Sequence, residues 1–184
     1  FTHHQAITPD GRYVLSTHPT RNAMSAMDIV GNKIVHTVPT GAGPNFTLVT
    51  SDSRRAYVSN TGDGTIREVD LKTWKPGRAL KAGPGPEHMV FSADEKTIYV
   101  ANPRAGTVSA VSVAKGVVVK TFAVGANLHG IDIGDDGKTL FVSSQKDDLL
   151  VALDPATGAQ RKLTLASAPY HLNTIRGTGK VYVS

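Results

Sequence analysis

The 184-residue chain has no cysteine, which removes disulfides, thiolate metal sites and a cysteine nucleophile from consideration. Aromatic residues make up only 6% and charged residues 19%, a bland composition that singles out no function. No run of 18 apolar residues occurs, so no helical membrane span is expected. No segment sustains a 3.6-residue apolar period either, and helices should be nearly absent. The net charge of +5 comes from positive residues scattered singly, without basic runs or interleaved aromatics, which argues against a nucleic-acid partner. What the chain does have is glycine (18) and proline (10) in the quantities that many short strands and turns require.

Those turns recur with a fixed period. Tyr57-Val58-Ser59-Asn60 aligns with Tyr99-Val100-Ala101-Asn102 at an offset of 42, and a further step reaches Phe141-Val142-Ser143-Ser144. One step back lies Val14-Leu15-Ser16, and Tyr182-Val183-Ser184 follows after a one-residue deletion. Asp10, Asp52, Asp94 and Asp136 precede these strands, while Gly41, Gly83 and Gly125 punctuate the end of each unit. Within the second unit the pattern predicts strands over 46–50, 56–60, 65–70 and 78–81. A four-stranded meander cannot cover both its faces alone, whereas radial stacking of copies does so and leaves short edges. The fold class expected is therefore an all-β propeller of four-stranded antiparallel blades. The units are 1–43, 44–85, 86–127, 128–169 and an incomplete 170–184, about 4.4 repeats in all.

The motifs resemble the YVTN β-propeller repeat family. Thr8-Pro9-Asp10-Gly11-Arg12, the two Tyr-Val-x-Asn strands, Asp63-Gly64-Thr65-Ile66 and Asp154-Pro155-Ala156-Thr157-Gly158 carry the likeness, which covers the whole chain. The resemblance implies a seven-bladed ring of which this is a part. It also implies a periplasmic, secreted or cell-surface location and service as a binding platform for a protein or small ligand.

Aligning the starts of the first strands gives one column of His3, Asn45, Glu87, His129 and His171. The next column is His4, Phe46, His88, Gly130 and Leu172. Five of the seven histidines thus fall in two adjacent columns on one edge of the blades, with His18 on the same edge. Two readings stand side by side. In one, the histidines pack between blades and bond backbone groups. In the other they hold copper, another transition-metal ion or haem, because neutral imidazole is a common ligand for such metals. Remote similarity to haem d1 and copper propellers adds to the second. Neighbours along a strand point to opposite sides, so Glu87 and His88 cannot both face one ion without a bulge, nor can His3 and His4. A compact site is therefore expected around His129 and His171, with Glu87 next in line and His3 or His88 as further candidates. The lack of a tight spacing such as H-E-x-x-H favours the structural reading.

Other features carry less. Ser16, Ser59 and Ser143 lie in no G-x-S-x-G elbow, and the glycine-rich Gly41–Gly43 and Gly83–Gly85 segments precede strands rather than helices. Asp135 and Asp136 read as a solvated turn before they read as a cation site. Trp74, the one tryptophan, sits at a turn as an exposed binding residue or a cap on blade packing. His36, Arg78, Lys120 and Lys162, one period apart on the outermost strand, read as protection of exposed edges. The function expected is a non-enzymatic binding propeller with a histidine-bearing face. The alternative is a periplasmic redox or metalloprotein.

Overall fold

The structure, a computed structural model, describes residues 2–184. It divides into two compact units, residues 1–87 and 88–184. The first holds two four-stranded antiparallel meanders, β1 (Gln5–Ile7) to β4 (Lys33–Pro39) through β2 (Tyr13–His18) and β3 (Ala23–Asp28), then β5 (Pro44–Val49) to β8 (Lys75–Lys81) through β6 (Arg55–Asn60) and β7 (Thr65–Asp70). The second repeats the plan. One sheet runs from β9 (Met89–Phe91) through β10 (Thr97–Asn102) and β11 (Thr107–Ser112) to β12 (Val117–Ala123). The next runs from β13 (Leu128–Ile133) through β14 (Leu140–Ser144) and β15 (Leu149–Leu153) to β16 (Gln160–Thr164), and a hairpin of β17 (Leu172–Ile175) and β18 (Lys180–Val183) follows. Among the described residues the only helical pieces are two 3-10 turns, at Pro19–Arg21 and Pro103–Ala105, and no helix is long and apolar enough to cross a membrane. Each fourth strand is mostly exposed, and the first three supply most of the core, with Val38, Leu80 and Phe122 added from β4, β8 and β12.

Each unit has an apolar core between consecutive sheets. In the first unit Leu15, Met24, Ala26 and Val38 of one sheet pack with Ala56, Val58 and Val69 of the next, together with Leu71. Trp74 covers the rim of this core beside Tyr13 and Val49, so it acts as a packing cap, with φ +57° and its indole stacked on His36 at 4.2 Å. In the second unit Val108, Phe122, Ile131, Val142 and Val151 belong to the equivalent layer.

Two repeated devices fix the turns. Thr8, Thr50 and Ser92 each donate a hydroxyl hydrogen bond to the Asp two residues on, at 2.6–2.7 Å, and that Asp also accepts a backbone N–H. The hydroxyl bond first, and the backbone bond after it, hold Asp10, Asp52 and Asp94 below the usual carboxylate range. In the fourth copy glycine (Gly134) replaces the hydroxyl residue, and Thr139 bonds Asp136 instead at 2.6 Å, bringing it down to about 2. These carboxylates belong to their own turns.

The second device joins outer strands to the next blade and corrects the edge-protection reading. His36 stacks on Trp74 of the following sheet's turn, and Lys120, in the same column, donates from Nζ to the carbonyls of Pro155 and Ala156 at 3.0 and 2.9 Å. Arg78 instead pairs with Glu68 of its own sheet at 3.3 Å. These residues make contacts rather than merely keeping neighbours away.

Candidate functional site

The first residues of each inner strand are held by a hydroxyl thirteen positions further along. His4 N–H donates to Thr17 Oγ1, Phe46 N–H to Ser59 Oγ, Gly130 N–H to Ser143 Oγ and His171 N–H to Ser184 Oγ, at 2.8–3.3 Å. Only Ala101 breaks this column. Ser59 and Ser143, which lie in no nucleophile elbow, have this structural task, and the constant 42-residue step of Thr17, Ser59 and Ser143 is its visible signal in the sequence.

The strand starts themselves are irregular. β5 shifts register against β6 between Pro44 and Thr47, and β13 against β14 between Leu128 and Ile131. His129 therefore lies inside a bulged stretch where strict alternation of faces lapses. His88 immediately precedes β9 and is 7% exposed, with its carbonyl accepting the Ala101 N–H.

In the second unit these irregularities bring three imidazoles together. One ligand nitrogen from each of His88, His129 and His171 lies within 4.8 Å of the others. His129 Nε2 and His171 Nε2 are 3.3 Å apart, so one ring must present N–H and the other its lone pair. The His88 ring centre is 4.2 Å from that of His129 and 5.4 Å from that of His171. Burial grades outward, from His88 to half-buried His129 to exposed His171.

Gly130 explains why the rings can meet. A Cβ there would come 2.7 Å from Leu172 N and 3.1 Å from Tyr170 O, so only glycine allows β17 this close. Ser143, fully buried, then ties the two strand starts, since its hydroxyl accepts from Gly130 N–H and donates to Tyr170 O at 2.7 Å. Tyr170 stacks its ring on His129 at 3.7 Å and meets His171 edge-on at 4.6 Å. Neither Ser143 nor Tyr170 was singled out for this role from the sequence.

The other four histidines sit in the first unit and have partners of a different kind. His3 Nδ1 contacts Asn45 O at 3.4 Å, and His4 Nδ1 accepts the Thr47 N–H at 3.2 Å while stacking on Phe46 at 3.8 Å. His18 Nε2 contacts Ser25 Oγ at 2.8 Å, and His36 lies on Trp74. Thus His129 and His171 are paired. His88 is the third member, where Glu87 had been placed next in line. Among the described residues, no equally tight ligand group includes His3 or Glu87, which is half-buried.

Successive four-stranded meanders with this repeat define a β-propeller. The chain belongs to the YNCE-like beta-propeller family, whose model matches residues 2–138. Among solved structures it is similar to hydrazine synthase of Kuenenia stuttgartiensis, with 21% identity and TM-score 0.82 over 94% of this chain and 52% of that one. It is also similar to a catalytically inactive virginiamycin B lyase of Staphylococcus aureus with quinupristin, at 12% identity and TM-score 0.84, covering 100% and 62%. A functionally unknown protein of Desulfotomaculum acetoxidans gives 17% identity and TM-score 0.86, again covering 100% and 62%. The chain spans about half to three-fifths of these proteins' lengths. Comparison with curated proteins gives no match.

Proposed function

We propose that this propeller binds a transition-metal ion, copper or zinc, through His88, His129 and His171, and presents it to a small ligand at the exposed side of the cluster. The observation that carries the reading is the nitrogen geometry. Two ligands on a tetrahedral ion with bonds of about 2.0–2.1 Å are about 3.3 Å apart. The His129 and His171 nitrogens already stand at 3.3 Å. His88 supplies the third nitrogen, all three lying within 4.8 Å of one another. Three imidazoles leave a fourth position open, the arrangement of a site that takes up an exogenous ligand. Ser143 and the stacked Tyr170 set the orientation of the pair, as outer partners do in metal sites.

The proposal includes a periplasmic or secreted location, where members of this repeat family commonly act. It assigns no reaction. The related virginiamycin B lyase structure is of an inactivated enzyme, which supports the propeller as a scaffold able to carry chemistry but supplies none to this chain.

Isothermal titration of the metal-free protein with zinc and with copper tests the reading. One ion should bind per chain, more weakly as pH falls, because protonated imidazole is no ligand. Binding that persists unchanged in His88→Ala and His129→Ala, or no saturable binding, would reject it. In that case the histidine face reads as a metal-free surface for a protein or small ligand, with Tyr170, 46% exposed, at its centre.

A further inference from the structure

A concavity of about 330 Å3 lies between the turns that follow β10 and β14. Arg104 and Lys146 line it, together with Gly106, Ala126 and Asn127. The two cations are one repeat apart in sequence, so the repeat sets them at equivalent places on neighbouring turns. Both side chains are exposed, and neither forms an ion pair among the described residues. The nearby acid, Asp147, does not line the concavity. Its carboxylate accepts Ala126 N–H at 2.6 Å and the Ser144 hydroxyl at 2.8 Å.

The concavity adjoins the cluster through the backbone. Asn127 on its wall is two residues from His129, a span of at most about 7.6 Å between Cα atoms. The 3-10 turn Pro103–Ala105, which carries Arg104, lies against β13, the strand that carries His129. In the first unit the equivalent turn positions are Thr20 and Gly62, neither of them charged.

We propose that Arg104 and Lys146 form an oxyanion seat next to the histidine cluster, which takes the carboxylate or phosphate group of a small molecule. A guanidinium fork and a mobile ammonium facing one hollow suit a planar or tetrahedral oxyanion, and an incoming anion need break no existing ion pair. The inference deepens the metal-site reading, on which it rests only for what the held molecule would meet: Asn127 on the seat's wall is two residues from His129.

The test is a backbone amide NMR titration at constant ionic strength, with inorganic phosphate in one arm and succinate in the other. Zinc is added in a separate series. Saturable shifts of Ala105, Gly106, Ala126 and Asn127 with either anion support the seat, and the tighter arm identifies the group it prefers. Arg104→Gln/Lys146→Gln should weaken that binding by about tenfold or more, as expected when charge-assisted hydrogen bonds are lost. The same double variant should leave zinc binding unchanged. Shifts that fail to saturate, that chloride reproduces, or that survive in the double variant overturn the seat. Zinc binding without anion binding likewise overturns the seat and leaves the metal site standing. Anion binding in a protein that does not bind zinc supports the seat and removes the metal reading.

Discussion

The two units use the same columns of the repeat to opposite ends. In the first, rings occupy the second column, and His4 stacks on Phe46 while its Nδ1 accepts the Thr47 N–H. His3 beside it makes a contact with the Asn45 carbonyl. In the second unit Gly130 takes that column's place and the neighbouring strand moves in, so that first-column His129 and His171 touch. Histidine frequency alone therefore says little. The side chain it meets in the next blade decides whether an imidazole packs singly against its neighbour or joins a cluster of imidazoles.

The largest contrast is expected from removing single imidazoles. His88→Ala, His129→Ala and His171→Ala should each lower zinc affinity by on the order of 100-fold or more, exceeding typical losses from outer-shell changes. His3→Ala, His4→Ala and His18→Ala should leave it within about twofold, since none of them belongs to the tight group of imidazole nitrogens. Calorimetric zinc titration of the six variants decides, and a similar loss from His4→Ala would erase the distinction between the units.

Gly130→Ala sharpens the comparison from the other side. The added methyl meets Leu172 N and Tyr170 O, an overpacking cost of about 1–3 kcal/mol by denaturant unfolding. Zinc affinity should fall with it, although no ligand has been touched. Gly11→Ala is the control, since its φ of +70° is strained for alanine but nothing lies within 4 Å. It should lower stability by about 1 kcal/mol and leave zinc binding alone.

His4→Ala should act on stability only. It removes a stacked pair and leaves the N–H of buried Thr47 without its acceptor, at about 1–2 kcal/mol in urea unfolding.

The smallest effect concerns acid. Asp136 has a folded value near 2 against 3.8 for an unperturbed group, so the unfolded chain binds the proton more readily. Its stabilising contribution is complete above the unfolded value and is lost as pH falls from about 4 toward 2. Urea midpoints measured across that window should drop, and Asp136→Asn should flatten the drop. Asp10, Asp52 and Asp94 act in the same direction.

The sheet plan was legible in the sequence because each blade repeats its turn chemistry. Strand edges such as Thr65–Asp70 coincide with the pattern, while β8 begins at Lys75, three residues before the expected 78. The early start crosses Pro76 and Gly77, residues that disfavour strands by propensity but are tolerated on an outer edge. Among the site residues, the pairing of His129 with His171 followed directly from the 42-residue register. The grouping of His88, rather than Glu87, with that pair did not, because it depends on how the strand starts meet across blades, which no distinctive residue type marks. Ser143 was legible as a column member, and its link between Gly130 and Tyr170 became visible only once the blades were placed side by side.

The single indole has a practical consequence. Trp74 sits on the rim of the first unit's core, stacked on His36 and met edge-on by Tyr13. All intrinsic tryptophan emission from this chain therefore originates in the unit that lacks the histidine cluster. The second unit is dark in that channel. An emission change on heating or in urea reports the parting of the first two blades, whereas zinc entering the cluster should leave the emission spectrum where it was. A tryptophan introduced at Phe141 in a Trp74→Phe background would light the other half instead, so that the two variants report on the two units in turn.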